Sequence, residues 1–101
     1  MIRHIVMFKL KAFETPALKL EKMNEIKERL EALQDKIEPL KSIRVDFNCN
    51  PEETWDLILT TELETLEDVR TYANHPEHVA VAKGIIGPVK ADRACVDYEV
   101  F

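Results

Sequence analysis

Cysteine is sparse in this sequence, and the two cysteines form no motif. Cys49 and Cys95 lie far apart, without the spacing of a zinc site or a redox pair. In a cytosolic protein such residues are most simply reduced thiols, so we expect no disulfide.

Basic runs and long apolar runs are also missing. The net charge of −5 argues against a nucleic-acid partner, because the phosphates of nucleic acids bind clustered lysine and arginine. No stretch approaches the roughly 20 apolar residues of a membrane span. The amino terminus has no apolar signal-peptide core and runs directly into a strand-like pattern. We therefore expect a cytoplasmic protein without a nucleic-acid or membrane partner.

The 101 residues have the length of one domain, spanning residues 1–101. The first strand-like segment, residues 2–10, alternates between two faces. One face carries Ile2, His4, Val6, Phe8 and Leu10. Because the other face also carries Ile5 and Met7, we expect a central strand whose outer face meets a partner chain.

A long helix is predicted after this strand. Thr15 is its N-cap and Pro16 its first residue, while Pro39 ends it. Spacings of three and four residues place one apolar stripe along it: Met23, Ile26, Leu30, Leu33 and Ile37.

The second half predicts two strands, two helices and a last strand. The strands span residues 43–47 and 55–63, the latter with Trp55 on its apolar face. A helix that begins after Thr65 turns Leu66 inward and stops before Pro76, where another helix begins and continues to Gly87. Residues 93–100 alternate as the final strand.

This order of elements predicts an α+β fold, a ferredoxin-like βαββαβ sandwich with an antiparallel sheet. One layer of helices covers only one face of such a sheet. We therefore expect a homodimer that packs sheet against sheet through the other face.

Histidine is concentrated where the two later helices meet. His75 and His78 lie within seven positions that also hold Tyr72, and His4 lies in the first strand. Imidazoles exchange protons near neutral pH, so both segments offer acid–base chemistry.

These residues resemble a known family. Residues 3–11, the motif Tyr72-x-x-His75-Pro76-x-His78 and residues 94–98 are similar in order and spacing to the stress-responsive dimeric α/β barrel (Dabb) family. The resemblance implies a dimeric α/β barrel. It also implies distant similarity to plant polyketide cyclases, which close a keto chain without a cofactor.

In that branch, the histidine that matches His78 is the base, and the tyrosine that matches Tyr72 supports it. The histidine that matches His4 lines the same cleft. We accordingly expect His78, Tyr72 and His4 as catalytic residues. The expected substrate-binding lining is Val6, Phe8, Met23 and Val79. The stripe residues stand where the cyclases have aromatic side chains, so a pocket for a long polyketide is not expected.

The physical chemistry of these residues is compatible with that assignment. At the first turn of a helix that begins at Pro76, His78 lies near the positive end of the dipole and is expected to be neutral, as a general base requires. The Tyr72 hydroxyl could donate to a developing enolate oxygen. The resemblance implies no cofactor. We also expect no metal, because His75 precedes the helix that holds His78 and their rings need not converge.

Two functions remain open on the sequence alone. The first is a protein that binds a small hydrophobic or keto-containing ligand in a cleft lined by His4, Tyr72 and His78, with cofactor-independent lyase- or cyclase-like chemistry if it is an enzyme. The alternative is a non-catalytic stress-response or assembly protein whose dimer is the functional unit. With either function, we expect His75 to be mainly a structural joint between the two helices and Asp97 to be a solvated or dimer-facing carboxylate.

Overall fold

A computed structural model describes all 101 residues of the chain. It contains four strands and three helices in the order strand, helix, strand, strand, helix, helix, strand. The elements are β1 (Ile2–Leu10), α1 (Pro16–Glu31), β2 (Ser42–Phe47), β3 (Leu57–Leu63), α2 (Leu66–Asn74), α3 (Pro76–Val81) and β4 (Lys90–Glu99).

The four strands form one antiparallel sheet in the order β2-β3-β1-β4. β1 is central, as its two partly apolar faces predict, and β4 is an edge strand. The helices pack on one face, so the predicted ferredoxin-like fold is confirmed. None of the helices combines the length and the apolar character that a membrane crossing requires.

The apolar stripe of the first helix forms the centre of the core. All five predicted positions are buried: Met23, Ile26, Leu30, Leu33 and Ile37. Thr15 caps α1 as predicted, its Oγ accepting from the Leu18 amide at 3.1 Å. The helix ends earlier than predicted, at Glu31, and continues as a 3₁₀ turn (Ala32–Asp35).

Glu31 attaches the end of α1 to β2. Its Oε2 accepts from the Val45 amide at 2.9 Å and from Lys27 Nζ at 2.8 Å, and Lys27 also donates to the Val45 carbonyl. Partial burial raises the pKa of Glu31, but these donors outweigh it and leave the pKa below its usual range. These contacts join the C-terminal end of α1 to strand β2.

Two expectations about the middle of the chain are wrong. The third strand begins at Leu57, and Trp55 lies in the preceding loop, where the Asp56 carboxylate accepts from the Leu10 amide at 2.7 Å and pairs with Lys19. Leu66 is exposed rather than buried, because it is the first residue of α2 and lies outside the seam that Val69 and Tyr72 form with the core.

The joint between α2 and α3 follows the sequence. His75 has extended backbone geometry (φ −64°, ψ 134°), as a residue before proline favours. Its Nδ1 accepts from the Glu77 amide at 3.1 Å, so His75 caps α3. The predicted longer helix ends at Val81 and gives way to a π-helical turn (Ala82–Ile86) and a 3₁₀ turn (Gly87–Val89), which lead into β4.

Candidate functional site

A cavity of about 110 Å³ lies between the sheet and the helices. Strand β1 forms its floor, α2 and α3 form one wall, and the start of β4 forms its edge. Its lining includes the three residues that the sequence analysis assigned to chemistry: His4, Tyr72 and His78. The structure therefore brings together residues that are up to 74 positions apart in the chain, as the fold predicts.

Tyr72 occupies the middle of this group. Its side chain is 1% exposed, and its hydroxyl is buried without a hydrogen-bond partner. A buried hydroxyl in that state costs about 1–3 kcal/mol relative to a satisfied one. Burial raises the pKa of Tyr72 far above its usual value, so the phenol stays protonated and remains a donor.

His78 contacts Tyr72, with the ring centroids 4.5 Å apart. Its Nδ1 lies 2.9 Å from the Ala73 carbonyl oxygen, which can only accept, so Nδ1 carries the proton and donates. In the neutral ring Nε2 is then the basic nitrogen.

Burial is the main cause that lowers the pKa of His78. The hydrogen bond to Ala73 acts against this, while the positive charges of His4, Arg93 and His75 lower the pKa further. His78 is therefore neutral at pH 7, as predicted. The larger cause is burial rather than the helix dipole on which the prediction relied.

His4 lies on the other side of Tyr72, with the ring centroids 6.2 Å apart and the rings nearly perpendicular. Its Nδ1 is 2.5 Å from Asp97 Oδ1. A carboxylate accepts, so this contact directs Nδ1–H at Asp97 and leaves Nε2 as the acceptor of the neutral ring.

Of the two alternatives expected for Asp97, the dimer-facing one is wrong, whereas its side chain does remain partly exposed to solvent. His4 and Asp97 are direct partners in the ladder between β1 and β4. Direct partners in an antiparallel ladder place their side chains on the same face of the sheet. Asp97 thus faces the helix side together with His4, and the sequence could not show this without the register.

Only half of the expected apolar lining lies at the cavity. Val6 and Phe8 line the cavity. Met23 lies instead in a separate depression beside Leu10 and Lys19, and Val79 is half-buried on α3 without lining the cavity. Met23 differs because it is about two turns closer to the start of α1 than Leu30, which does line the cavity.

Two basic residues at the cavity were missed by the sequence analysis. Lys90 and Arg93 belong to its lining, and both are exposed. Arg93 pairs with Phe8 in the ladder and so shares the face of His4. The alternation of the last strand already placed Arg93 on one face with Asp97, and that was the available signal. Their charges favour a ligand that carries or develops negative charge.

Three larger depressions lie elsewhere on the surface. One of about 440 Å³ is bordered by loop residues 48–56, one of about 520 Å³ lies along α1, and one of about 290 Å³ is bordered by Met7, Trp55 and Ile58. None contains a histidine. The walls of the first two are mostly charged or polar, and the wall of the third is mostly apolar. A small-molecule site usually joins an apolar wall to a few polar groups, which describes the smaller cavity better.

Comparison with known proteins agrees with this architecture. The family model of the stress responsive A/B barrel domain matches residues 2–100. Comparison with curated proteins gives no match.

Solved structures of similar chains cover nearly the whole length. A dimeric protein of unknown function from Bacteroides fragilis with a ferredoxin-like fold has 48% identity and a TM-score of 0.90, covering 98% of this chain and 95% of its own. A dimeric ferredoxin-like protein from Thermobifida fusca has 27% identity and a TM-score of 0.81, covering 98% and 90%.

A hydroxynitrile lyase from Passiflora edulis has the same fold, with a TM-score of 0.79 over 99% of this chain and 93% of its own, at 15% identity. That identity shows a shared fold alone. The match of the family model over residues 2–100 is decisive: the chain belongs to the stress-responsive A/B barrel domain family.

Proposed function

We propose that this protein binds a small carbonyl-containing ligand between His4, Tyr72 and His78, and that His78 removes a proton from the carbon next to the carbonyl group. The observation that carries the proposal is the Tyr72 hydroxyl, buried without a partner beside two imidazoles. Folding alone gives no reason to keep an unsatisfied donor there. A ligand oxygen would satisfy it.

The proton transfer follows from the states of the groups. His78 Nε2 takes the proton, and the electron pair of the C–H bond forms the carbon–carbon double bond of the enolate. The π electrons of the carbonyl group move onto its oxygen, to which the Tyr72 hydroxyl donates. The positive charge of Arg93 at the cavity edge favours the same anion. The step needs no cofactor, which agrees with cyclase- or lyase-like chemistry.

The cavity volume limits the ligand. An apolar cavity of about 150 Å³ is known to hold benzene. A cavity of about 110 Å³ therefore fits a molecule smaller than benzene unless a side chain moves. This supports a short ketone or aldehyde and is unfavourable to a long polyketide chain.

We also propose that the chain is a homodimer whose subunits pack through the outer face of the sheet. The matched proteins from Bacteroides fragilis and Thermobifida fusca are dimeric. On this chain the outer face carries half-exposed Ile5 and Met7, and Val96 and Tyr98 are exposed on it. If no chemistry exists, this dimer is the functional unit, which is the alternative that remains.

The pKa of His78 is expected to lie below 6.5 in the folded protein. The unfolded chain then takes up a proton before the folded protein does as the pH falls. Neutral His78 therefore contributes fully to the stability of the folded protein above the pKa it has in the unfolded chain. This contribution is lost as the pH falls through the pKa of His78 in the folded protein. Following the chemical shift of a His78 ring proton by NMR as the pH changes measures its pKa. A pKa equal to that of an exposed imidazole would contradict the expectation.

Proton abstraction is testable without knowledge of the natural substrate. In D₂O, the protein is expected to catalyse exchange of the hydrogens next to the carbonyl group of 2-butanone. Replacing His78 with glutamine should lower that rate by about 10²- to 10⁴-fold, the usual contribution of a general base. His75→Gln is the matched control, since His75 lies in the same segment but caps α3, and its rate should stay near wild type.

Tyr72→Phe separates the catalytic and structural alternatives. Removing an unpartnered hydroxyl should leave the free energy of unfolding unchanged or raise it by about 1 kcal/mol, while the exchange rate falls. A rate equal to wild type in both His78→Gln and Tyr72→Phe would contradict the proposed chemistry and favour the non-catalytic dimer.

A further inference from the structure

Three different donor atoms converge at the edge of the sheet beside the cavity. His4 Nδ1 lies 2.5 Å from Asp97 Oδ1 and 3.5 Å from Cys95 Sγ. All three atoms lie within 4.8 Å of one another. The acid–base chemistry proposed for His78 does not use Cys95.

The strand ladder fixes this arrangement. Asp97 is the direct partner of His4, and Cys95 is the direct partner of Val6. Cys95 and Asp97 are two positions apart on β4, so their side chains emerge on the face that His4 occupies. His4 is buried, while Cys95 and Asp97 are exposed, so an ion from solvent can reach the donors.

A nucleophilic cysteine explains the cluster poorly. In such a triad the carboxylate orients one imidazole nitrogen, and the other nitrogen takes the proton from the nucleophile. Here Cys95 and Asp97 both face the same nitrogen of His4, Nδ1, so they compete for it. A cation is the species that can accept an electron pair from all three atoms at once.

The donor set indicates the class of cation. Nitrogen, thiolate sulfur and carboxylate oxygen are the ligands of Zn²⁺ and similar borderline-soft ions, and three protein ligands leave a fourth position open. Bonds of about 2.0–2.3 Å in a tetrahedron separate the donors by roughly 3.3–3.8 Å. The 3.5 Å contact between His4 Nδ1 and Cys95 Sγ lies in this range, whereas the 2.5 Å contact between His4 Nδ1 and Asp97 Oδ1 is shorter. Metal binding therefore requires the exposed Asp97 side chain to move outward.

Arg93 is the opposing charge. It lies two positions before Cys95 on the same strand and lines the cavity. Its positive charge repels a cation. Burial raises the pKa of the Cys95 thiol and Arg93 only partly opposes this, so a cation has to displace the protons of Cys95 Sγ and His4 Nδ1 when it binds. The thiolate and the carboxylate together carry two negative charges against this single positive one.

We propose that His4, Cys95 and Asp97 bind one divalent cation of the Zn²⁺ class per chain, with one coordination position left for water or another ligand. This differs from the sequence-based expectation of no metal, which weighed only His75 and His78. The site goes beyond the proposed proton transfer and shares only His4 with it.

Titration of the metal-free protein with Co²⁺ tests the site, because a thiolate ligand gives a charge-transfer band in the near ultraviolet. We expect one Co²⁺ per chain with that band, and displacement by Zn²⁺. Cys95→Ser should abolish the band. Asp97→Asn should weaken binding by at least about tenfold, since even outer-shell partners contribute 10- to 100-fold to metal affinity.

Cys49→Ser is the matched control, because Cys49 is the other exposed free cysteine and lies outside the cluster. It should retain the band and the affinity. A second measurement on the wild-type protein needs no variant: Zn²⁺ should shift the NMR signal of His4 Nδ1. Absence of the band in wild type, its persistence in Cys95→Ser, or an unchanged His4 signal would each overturn the proposal.

Discussion

Replacing Leu30 with alanine is expected to lower the free energy of unfolding by about 3 kcal/mol, within the range measured for buried leucines. Leu30 is 1% exposed at the centre of the core and lines the cavity. The truncation removes apolar contacts and adds to a space that already exists, so collapse of the surroundings recovers little of the loss. Urea unfolding monitored by circular dichroism measures the change.

Leu20→Ala is the matched control on the same helix. Leu20 is 52% exposed, so its truncation should change the free energy of unfolding by no more than about 0.5 kcal/mol. The Leu30 variant should also accept a larger ketone than wild type in the exchange assay, provided that it remains folded at the assay temperature. Equal losses from the two substitutions would contradict the assignment of the buried stripe.

Much of the fold could be predicted because its determinants are local. The spacing from Met23 to Ile37 selects a helical face without reference to any other segment, and all its members are buried. Pro76 likewise forces a break, and His75 supplies the cap. Boundaries were less accurate, as at Trp55 and the end of α1, because hydrogen bonds from distant residues decide where an element stops.

The candidate site was predictable in membership but not in detail. The motif placed His78 and Tyr72 together, and the fold brought His4 to them. The pairing of His4 with Asp97 depends on the register of two strands that are more than 80 residues apart in sequence. A pattern of alternation shows which residues share a face of one strand, and it says nothing about which residue lies opposite on the next.

The electrostatic state of the site depends on tertiary structure in the same way. The sequence explained a neutral His78 by the helix dipole, whereas burial under α2 and the charges across the cavity are the larger causes. The missing partner of the Tyr72 hydroxyl is also a property of the packed core. Both features depend on what surrounds a side chain, and no short motif records that.

Strand β4 links the proposed dimer interface on the outer face of the sheet to the cavity on the helix side. β4 contributes Asp97 and Arg93 to the helix side, and Val96 and Tyr98 to the other side. Contacts that order the outer face of β4 would therefore also fix the edge of the cavity. A dimer formed there would support the site even if each subunit bound its ligand independently.

Replacing Val96 with aspartate is accordingly expected to convert the dimer to a monomer at micromolar concentration. Val96 is 54% exposed in the single chain and pairs with Ile5 of strand β1 on the outer face. Burying an unpaired carboxylate costs several kcal/mol, and a two-fold axis places two of them in one interface. We expect the dissociation constant to rise by at least about 100-fold, equivalent to about 2.7 kcal/mol.

Sedimentation velocity over a range of concentrations measures this shift. Ala17→Asp is the control, since it adds the same charge at an exposed position in the first turn of α1, on the helix side, where an acidic residue is favourable. That variant should sediment as wild type. Val96 lies at an exposed position of an edge strand, so the Val96→Asp variant should have the circular dichroism spectrum of wild type. That spectrum distinguishes loss of the dimer from unfolding. A wild-type protein that is monomeric at micromolar concentration, or a Val96→Asp variant that remains dimeric, would exclude the sheet face as the interface.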